Sequence, residues 1–251
     1  MFGAVVMRRY PARYRFCLQC RFLFVEAPDW LDEAYKEPIN IYDTGIIARN
    51  LALSRTTSVI LYFLFNKEGQ FLDYAGGYGI FTRLMRDIGF DFYWYDPYST
   101  NLTARGFELV DGMSDFELLT CFEVFEHLVD PVKEMEKMFH LSDSILISTY
   151  LLPAGIPKPE NWWYYGLEHG QHISFYSFAT MLFMAKTFGC NLYSNGATIH
   201  MFTKRSLNPL LFNLLLKLSR YGLFSYVKRN MKSKTQEDSK SNISSNPKSI
   251  L

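Results

Sequence analysis

The sequence predicts an α/β fold, a mostly parallel sheet with helices on both faces that ends in an antiparallel hairpin. Three observations predict it. Short apolar runs at 70–74, 91–95, 116–121 and 144–149 alternate with helix-length segments at 80–88 and 131–139. The run Phe71-Leu72-Asp73-Tyr74-Ala75-Gly76-Gly77-Tyr78-Gly79 passes from a strand through a glycine-rich turn into a helix closed by Gly89. Asn195-Gly196, the strongest short hairpin signal, stands between two strand-like segments, 191–194 and 197–203.

The chain has 251 residues, 49% hydrophobic and 17% aromatic, enough to bury one good-sized core. Its formal net charge of +1 gives no field that argues for nucleic acid. Residues 206–251 hold eight Lys or Arg against two acids, so the tail is basic and the body mildly acidic. No apolar run reaches the roughly 18 residues a membrane span needs, and the start lacks a secretory pattern, so a cytoplasmic protein is expected. Cys17, Cys20, Cys121 and Cys190 do not form a secreted disulfide framework.

Residues 1–42 read as an N-terminal extension containing Cys17-Leu18-Gln19-Cys20, which has the spacing of half a zinc site. No second CxxC follows, so no metal is assigned and a pair of at least partly buried thiols is the plainer reading. The main domain is placed at 43–205. Asp43 or Thr44 is expected to cap a helix continuing to about Phe65, and a short strand is expected near Phe107 to Val110. Asp130-Pro131 signs the start of the helix at 131–139, and Ser177 that of a helix from Phe178 to Phe188. Residues 206–231 carry a nearly all-apolar helix, Leu210 to Leu218, followed by basic residues. That helix is too short to span a bilayer; it packs on the body, or meets a partner or a membrane interface. Residues 232–251 read as disordered by composition.

Glycines at 77 and 79 permit a tight turn and the close approach of a ligand, while the following helix directs its free N–H groups and positive dipole end to the same point. The next strand ends in Asp96, placed to accept hydrogen bonds from ribose hydroxyls. A dinucleotide and S-adenosylmethionine both fit such a geometry. The dinucleotide pattern G-x-G-x-x-G fails, because Thr82 stands where its last glycine belongs. Asp73 suits the positively charged amino and sulfonium groups of S-adenosylmethionine better than a pyrophosphate. The segment resembles motif I of the class I S-adenosylmethionine-dependent methyltransferases, D-x-G-x-G-x-G, with Ala75 in place of the first glycine. The resemblance implies that Ala75, Gly76, Gly77, Tyr78 and Gly79 form the cofactor loop.

A second segment, Phe122-Glu123-Val124-Phe125-Glu126-His127-Leu128-Val129-Asp130-Pro131, resembles the F-E-V-x-E-H-L-x-D-P run of the methyltransferase domain 23 group. The likeness covers about Phe71 to Lys204. It implies a Rossmann-like class I methyltransferase sheet with its C-terminal antiparallel hairpin, S-adenosyl-L-methionine as cofactor, and Phe122 and Glu123 lining the cofactor pocket. In relatives a residue after the third strand reads adenine; Asp111 and Asp115 are the candidates, a plain turn around Gly112 the alternative. His127 is either part of the chemistry or a histidine that orders its loop.

The insertion at 151–176 carries Asn161-Trp162-Trp163-Tyr164-Tyr165-Gly166-Leu167-Glu168-His169-Gly170-Gln171-His172. Four adjacent aromatics cannot all face inward, so some rings are expected to line a pocket that stacks on a sugar face or embraces a sulfonium. His169 and His172 have only Glu168 nearby and Gly170 between them, which argues against a metal. One of them is expected to accept or orient a proton, with Tyr164, Tyr165 and His127 next in line; satisfying loop backbone groups is the alternative. The reading is methyl transfer to an oxygen, nitrogen or carbon of a small or sugar-like acceptor. A catalytically silent cofactor-binding scaffold is the alternative, an oxidoreductase the third reading.

Overall fold

A computed structural model describes residues 2–36 and 41–245; Met1, residues 37–40 and residues 246–251 lie outside the described residues. In chain order the elements are β1 (Phe2–Val6), β2 (Tyr10–Phe16), β3 (Leu23–Val25), α1 (Leu31–Ala34), α2 (Ile46–Leu64), β4 (Gln70–Tyr74), α3 (Ile80–Ile88), β5 (Asp91–Tyr95), β6 (Leu118–Phe122), α4 (Pro131–Phe139), β7 (Ser144–Ser148), β8 (Ser174–Phe175), α5 (Phe178–Thr187), β9 (Asn191–Ser194), β10 (Ile199–Thr203), α6 (Pro209–Leu218), α7 (Leu223–Asn230) and α8 (Thr235–Ser245). The six-stranded sheet runs β5-β4-β6-β7-β10-β9. β4 pairs in parallel with β5 and with β6, while β10 runs antiparallel to both β7 and β9, as the Asn195-Gly196 hairpin predicts.

The chain divides into two units, one of Met1–Thr44 and Cys121–Ser206, the other of Gly45–Thr120 and Leu207–Leu251. In the first, β1, β2, β3 and β8 form an antiparallel sheet that the sequence reading missed. Its signal was present in β2, where Ala12 and Tyr14 are buried and Arg13 and Arg15 alternate with them outward. Tyr14, Trp30, Tyr164, Tyr165 and Phe175 fill the core of this unit. Cys17 and Cys20 sit on the turn between β2 and β3, and among the described residues they join no group of three metal-ligating side chains.

In the second unit α2 packs on α3, α6 and α7. Its start differs from expectation: Gly45 is the cap residue, with no side-chain cap. The expected strand near Phe107 to Val110 is reduced to a single bridge, Trp94 to Glu108, with left-handed Gly106 and Gly112 breaking the chain on either side. Helix α6 is capped by Asn208 and buries Phe212, Leu215 and Leu216, while Leu210, Leu211 and Leu214 are exposed. Among the described residues no helix is long and apolar enough to cross a membrane.

The tail departs most from expectation. Residues 235–245 form α8, and Asp238 is 5% exposed against Arg86. The Arg86 guanidinium lies 2.8 Å from both Asp238 and Asp91, donates to the Phe92 carbonyl at 2.8 Å, and stands 3.5 Å above the Phe107 ring. A buried cation paired across 152 residues orders a segment whose own composition gives no reason to fold.

Two outcomes follow. Asp238→Ala leaves Arg86 buried and underpaired, and urea denaturation should show a loss of about 3–5 kcal/mol; an unchanged midpoint would refute the docking of α8. His200, fully buried, shares hydrogen bonds with Ser194 Oγ (Nδ1, 2.8 Å) and the Thr149 carbonyl (Nε2, 3.1 Å), and burial lowers its pKa from 6.5 to about 4. The neutral ring is the folded form, so its contribution is complete above the unfolded value and is lost as pH falls from 6.5 toward 4. The expected slope approaches about 1.4 kcal/mol per pH unit in that window, and His200→Gln should flatten it.

Candidate functional site

The glycine turn is built from alternating left-handed residues: Ala75 at φ +57°, Gly77 at +53° and Gly79 at +80°. Ala75 carries a Cβ in a conformation that costs an L-residue about 1–2 kcal/mol, so its surroundings must hold it there. They do so from several sides. Trp94 donates its indole N–H to the Gly77 carbonyl at 3.0 Å, and the Gly77 N–H donates to Asp96 Oδ2 at 2.9 Å. Asp96 Oδ1 also accepts from the N–H groups of Tyr98 and Ser99, at 2.8 and 2.9 Å. The Tyr78 carbonyl accepts from Leu102 N, Thr103 N and the Thr103 hydroxyl, which ties the 96–106 loop to the turn.

Asp73 lies beneath. It is 3% exposed and accepts from the hydroxyls of Thr82 at 2.9 Å and Thr120 at 3.0 Å. Burial, with the nearby Asp96 charge adding, pushes its carboxyl up to about 7. The direct attraction to a cofactor cation expected from the sequence is therefore replaced by a bracing role. Gly76 must be glycine for the same reason, since a Cβ there would stand 2.7 Å from Asp73 Oδ2 and 2.8 Å from Trp94. Gly77 is the opposite case: its Cβ direction meets nothing within 4 Å, and α3 begins three residues later with no side-chain cap. A nucleotide-type cofactor fits this turn: the approach to Gly77 is free of side chains, helix N–H groups point to it, and the Asp96 carboxylate stands beside it. Asp111 and Asp115 are exposed around a turn at left-handed Gly112, the arrangement of a plain turn.

In the other unit the segment after β6 forms the second group. Phe122 is half-buried at the strand end, and Glu123 is left-handed at φ +56°. The Glu123 N–H donates to Ser148 Oγ at 2.9 Å, and that hydroxyl donates back to Glu123 Oε1 at 2.6 Å. A single 3-10 turn, Phe125–His127, follows. Glu126 is 1% exposed, and burial, with repulsion from Glu123 next, pushes its carboxyl up to about 8 although the Tyr164 and Thr149 hydroxyls favour its charged form. The His127 and His172 rings lie 4.9 Å apart, and those of His169 and His172 4.8 Å apart. His127 Nδ1 is 2.8 Å from the Tyr35 hydroxyl and 3.1 Å from the Gln171 carbonyl. His172 Nδ1 is 2.6 Å from the Tyr164 carbonyl.

The sequence candidates thus separate. His127 and His172 come together with Glu126. His169 accepts the Gln171 backbone N–H at 3.1 Å and is held neutral by burial, the backbone-satisfying alternative. Tyr165 is a packing residue: its hydroxyl donates to the Pro157 carbonyl at 2.9 Å, and burial raises its pKa, the wrong direction for a base near neutral pH. Of the four insertion aromatics, Tyr164 and Tyr165 are core and only Trp163, 71% exposed, faces out fully. Sequence reasoning missed Trp94, Tyr35, Gln171 and the part played by Glu126. Only Glu126 carried a signal, as the second acid of the F-E-V-x-E-H-L run.

A family model described as a methyltransferase domain matches residues 48–195, more than half of the chain. A search of the curated proteins finds no match. Among solved structures, mitomycin 7-O-methyltransferase is similar at 14% identity over 70% of this chain and 60% of its own, with a TM-score of 0.47. Human N-acetylserotonin methyltransferase, in complex with S-adenosylmethionine, is similar at 15% identity over 71% and 66%, with a TM-score of 0.45. Magnesium protoporphyrin IX methyltransferase from Synechocystis is similar at 14% identity over 70% and 94%, with a TM-score of 0.44. The chain spans less than two thirds of the length of the first two. With the family match extending from α2 through the glycine turn and the Glu126-His127 segment to β9, the chain belongs to the methyltransferase domain family, the S-adenosylmethionine-dependent methyltransferases of Rossmann-like α/β fold.

Proposed function

We propose that this chain transfers a methyl group from S-adenosyl-L-methionine to a small-molecule acceptor, with the glycine turn as cofactor cradle and the Glu126–His127–His172 group as the acceptor-side chemistry. The observation that carries the reading is the left-handed, side-chain-free Gly77 next to Asp96 at the end of a parallel strand pair. Bound S-adenosylmethionine supplies a methyl on a sulfonium, which is already a good leaving group. The protein's share is alignment, an effect that can reach about 7–11 kcal/mol, and removal of a proton where the acceptor carries one. Asp96 accepts from the ribose hydroxyls, and the turn amides and the start of α3 hold the cofactor's polar end.

On the acceptor side, His172 has its tautomer fixed. A carbonyl oxygen only accepts, so Nδ1 carries the hydrogen that reaches Tyr164 and Nε2 holds the lone pair. A neutral imidazole in that state takes a proton near neutral pH. A sugar-like acceptor is supported by the exposed Trp163 ring, 5.3 Å from the ring of Tyr150, since aromatic faces stack on the apolar face of a sugar.

Calorimetry with S-adenosylmethionine should show Asp96→Ala binding about 1–3 kcal/mol more weakly than wild type. Gly77→Val, whose branched side chain fills the approach, should abolish binding in a protein that remains folded; normal affinity in both variants would remove the cradle assignment. His172→Ala should leave cofactor affinity unchanged while methyl transfer, once an acceptor is found by screening labelled transfer to sugar nucleotides and small hydroxylated compounds, falls by about a hundredfold to ten-thousandfold. Full turnover in that variant would place proton removal elsewhere.

A further inference from the structure

We propose that Glu126, His127 and His172 bind one divalent first-row transition cation, of the zinc, manganese, iron(II) or cobalt type. One ligand atom from each of the three lies within 4.8 Å of the others, so a modest inward movement brings all three to the about 2.0–2.2 Å at which carboxylate oxygen and imidazole nitrogen hold such an ion. This goes beyond methyl transfer: cation binding by these residues does not depend on that activity, and a bound cation occupies the His172 Nε2 lone pair that takes the acceptor's proton in the cation-free chain.

Glu126 supplies the first argument. Its side chain is 1% exposed, its Oε2 has no hydrogen-bond partner, and among the described residues no Lys or Arg forms an ion pair with it. A buried carboxylate oxygen without a donor is costly unless paired or bound to a metal. A cation at this position pairs that oxygen.

The histidines supply the second. Each presents Nδ1 to a backbone carbonyl, His172 to Tyr164 at 2.6 Å and His127 to Gln171 at 3.1 Å. An Nδ1–H bonded to a carbonyl makes Nε2 the basic nitrogen, and this is how metal-ligating histidines are oriented and made more basic. The Tyr35 hydroxyl, 2.8 Å from His127 Nδ1 and 3.3 Å from the Gln171 carbonyl, braces the same arrangement.

The backbone fixes the two halves of the group to each other. The Ile173 N–H donates to the Glu126 carbonyl at 2.8 Å, the Ser174 hydroxyl to the Leu128 carbonyl at 2.6 Å, and the Gln171 side-chain amide to the Ala34 carbonyl at 2.8 Å. Gly170 contributes closeness, since a Cβ there would stand 2.7 Å from Val6 and 2.9 Å from Trp30. One carboxylate and two imidazoles select borderline transition ions over magnesium or calcium, which prefer oxygen alone. Three protein ligands leave coordination positions open to water or to an acceptor oxygen. The sequence reading paired His169 with His172, with only Glu168 nearby and Gly170 between them, and argued against a metal; the acid the fold brings is Glu126, 46 positions before His172.

The test uses the full chain carrying Cys17→Ser and Cys20→Ser, so that no thiol competes, stripped with chelator and titrated with Co2+ without S-adenosylmethionine. One Co2+ per chain is expected, with the visible bands of nitrogen and oxygen ligation. Glu126→Gln and His172→Asn should each weaken binding by about tenfold to a hundredfold or more, with unchanged circular dichroism. His172, only half-buried, provides the decisive variant if Glu126→Gln does not fold. Failure of the folded parent to bind Co2+ stoichiometrically, or equal affinity in folded His172→Asn, would overturn the site. A parent that binds Co2+ but shows no heat with S-adenosylmethionine would retain the cation site and remove the methyl-transfer reading instead.

Discussion

The turn from Ala75 to Gly79 depends on one buried carboxylate. Asp73 sits under the turn where only glycine at 76 leaves room for it, and the hydroxyls of Thr82 and Thr120 hold both of its oxygens. With that brace in place, Trp94 and Asp96 can hold Gly77 from the carbonyl and amide sides, and three left-handed residues become the stable path of the chain. A strand-to-helix turn of this kind gathers amide N–H groups and a helix dipole into one small region. The polar groups that this turn offers are thus largely backbone, shaped by Asp73 and Trp94, with the Asp96 carboxylate beside them.

The group after β6 is organised on a different principle. Its side chains are oriented by backbone carbonyl groups: Tyr164, eight positions away, for His172, and Gln171, 44 positions away, for His127. The insertion that delivers them is anchored by its own buried aromatics, with Tyr165 against Tyr14 at 5.3 Å and against Phe175 at 5.0 Å. The aromatics that looked like pocket lining are mostly the fasteners of the N-terminal sheet. Their packing is what brings the two histidines to Glu126.

Much of the fold was legible because its signals are local. Asp130-Pro131, Ser177 and Asn195-Gly196 mark element ends by capping and turn chemistry that operates within three or four residues, and each stands where expected. The glycine motif was legible for the same reason. What was not legible depends on distance. The Arg86–Asp238 pair orders a tail of unpromising composition, and Tyr35 meets His127 across 92 residues. The β2 alternation was readable, with Ala12 and Tyr14 inward and Arg13 and Arg15 outward. The direct role expected of Asp73 failed because position at a strand end does not reveal whether a carboxylate points out to a ligand or down into the turn.

The proposed cofactor cradle is the Ala75–Gly79 turn with Asp96 and the loop after it. Amide hydrogen exchange of the full chain with and without saturating S-adenosylhomocysteine tests it most directly, because a bound ligand slows exchange where it holds the backbone. Added protection is expected at residues 75–80 and 96–103, with little change in β1, β2 and β3. Binding with no protection in the turn, or protection confined to the N-terminal sheet, would contradict it.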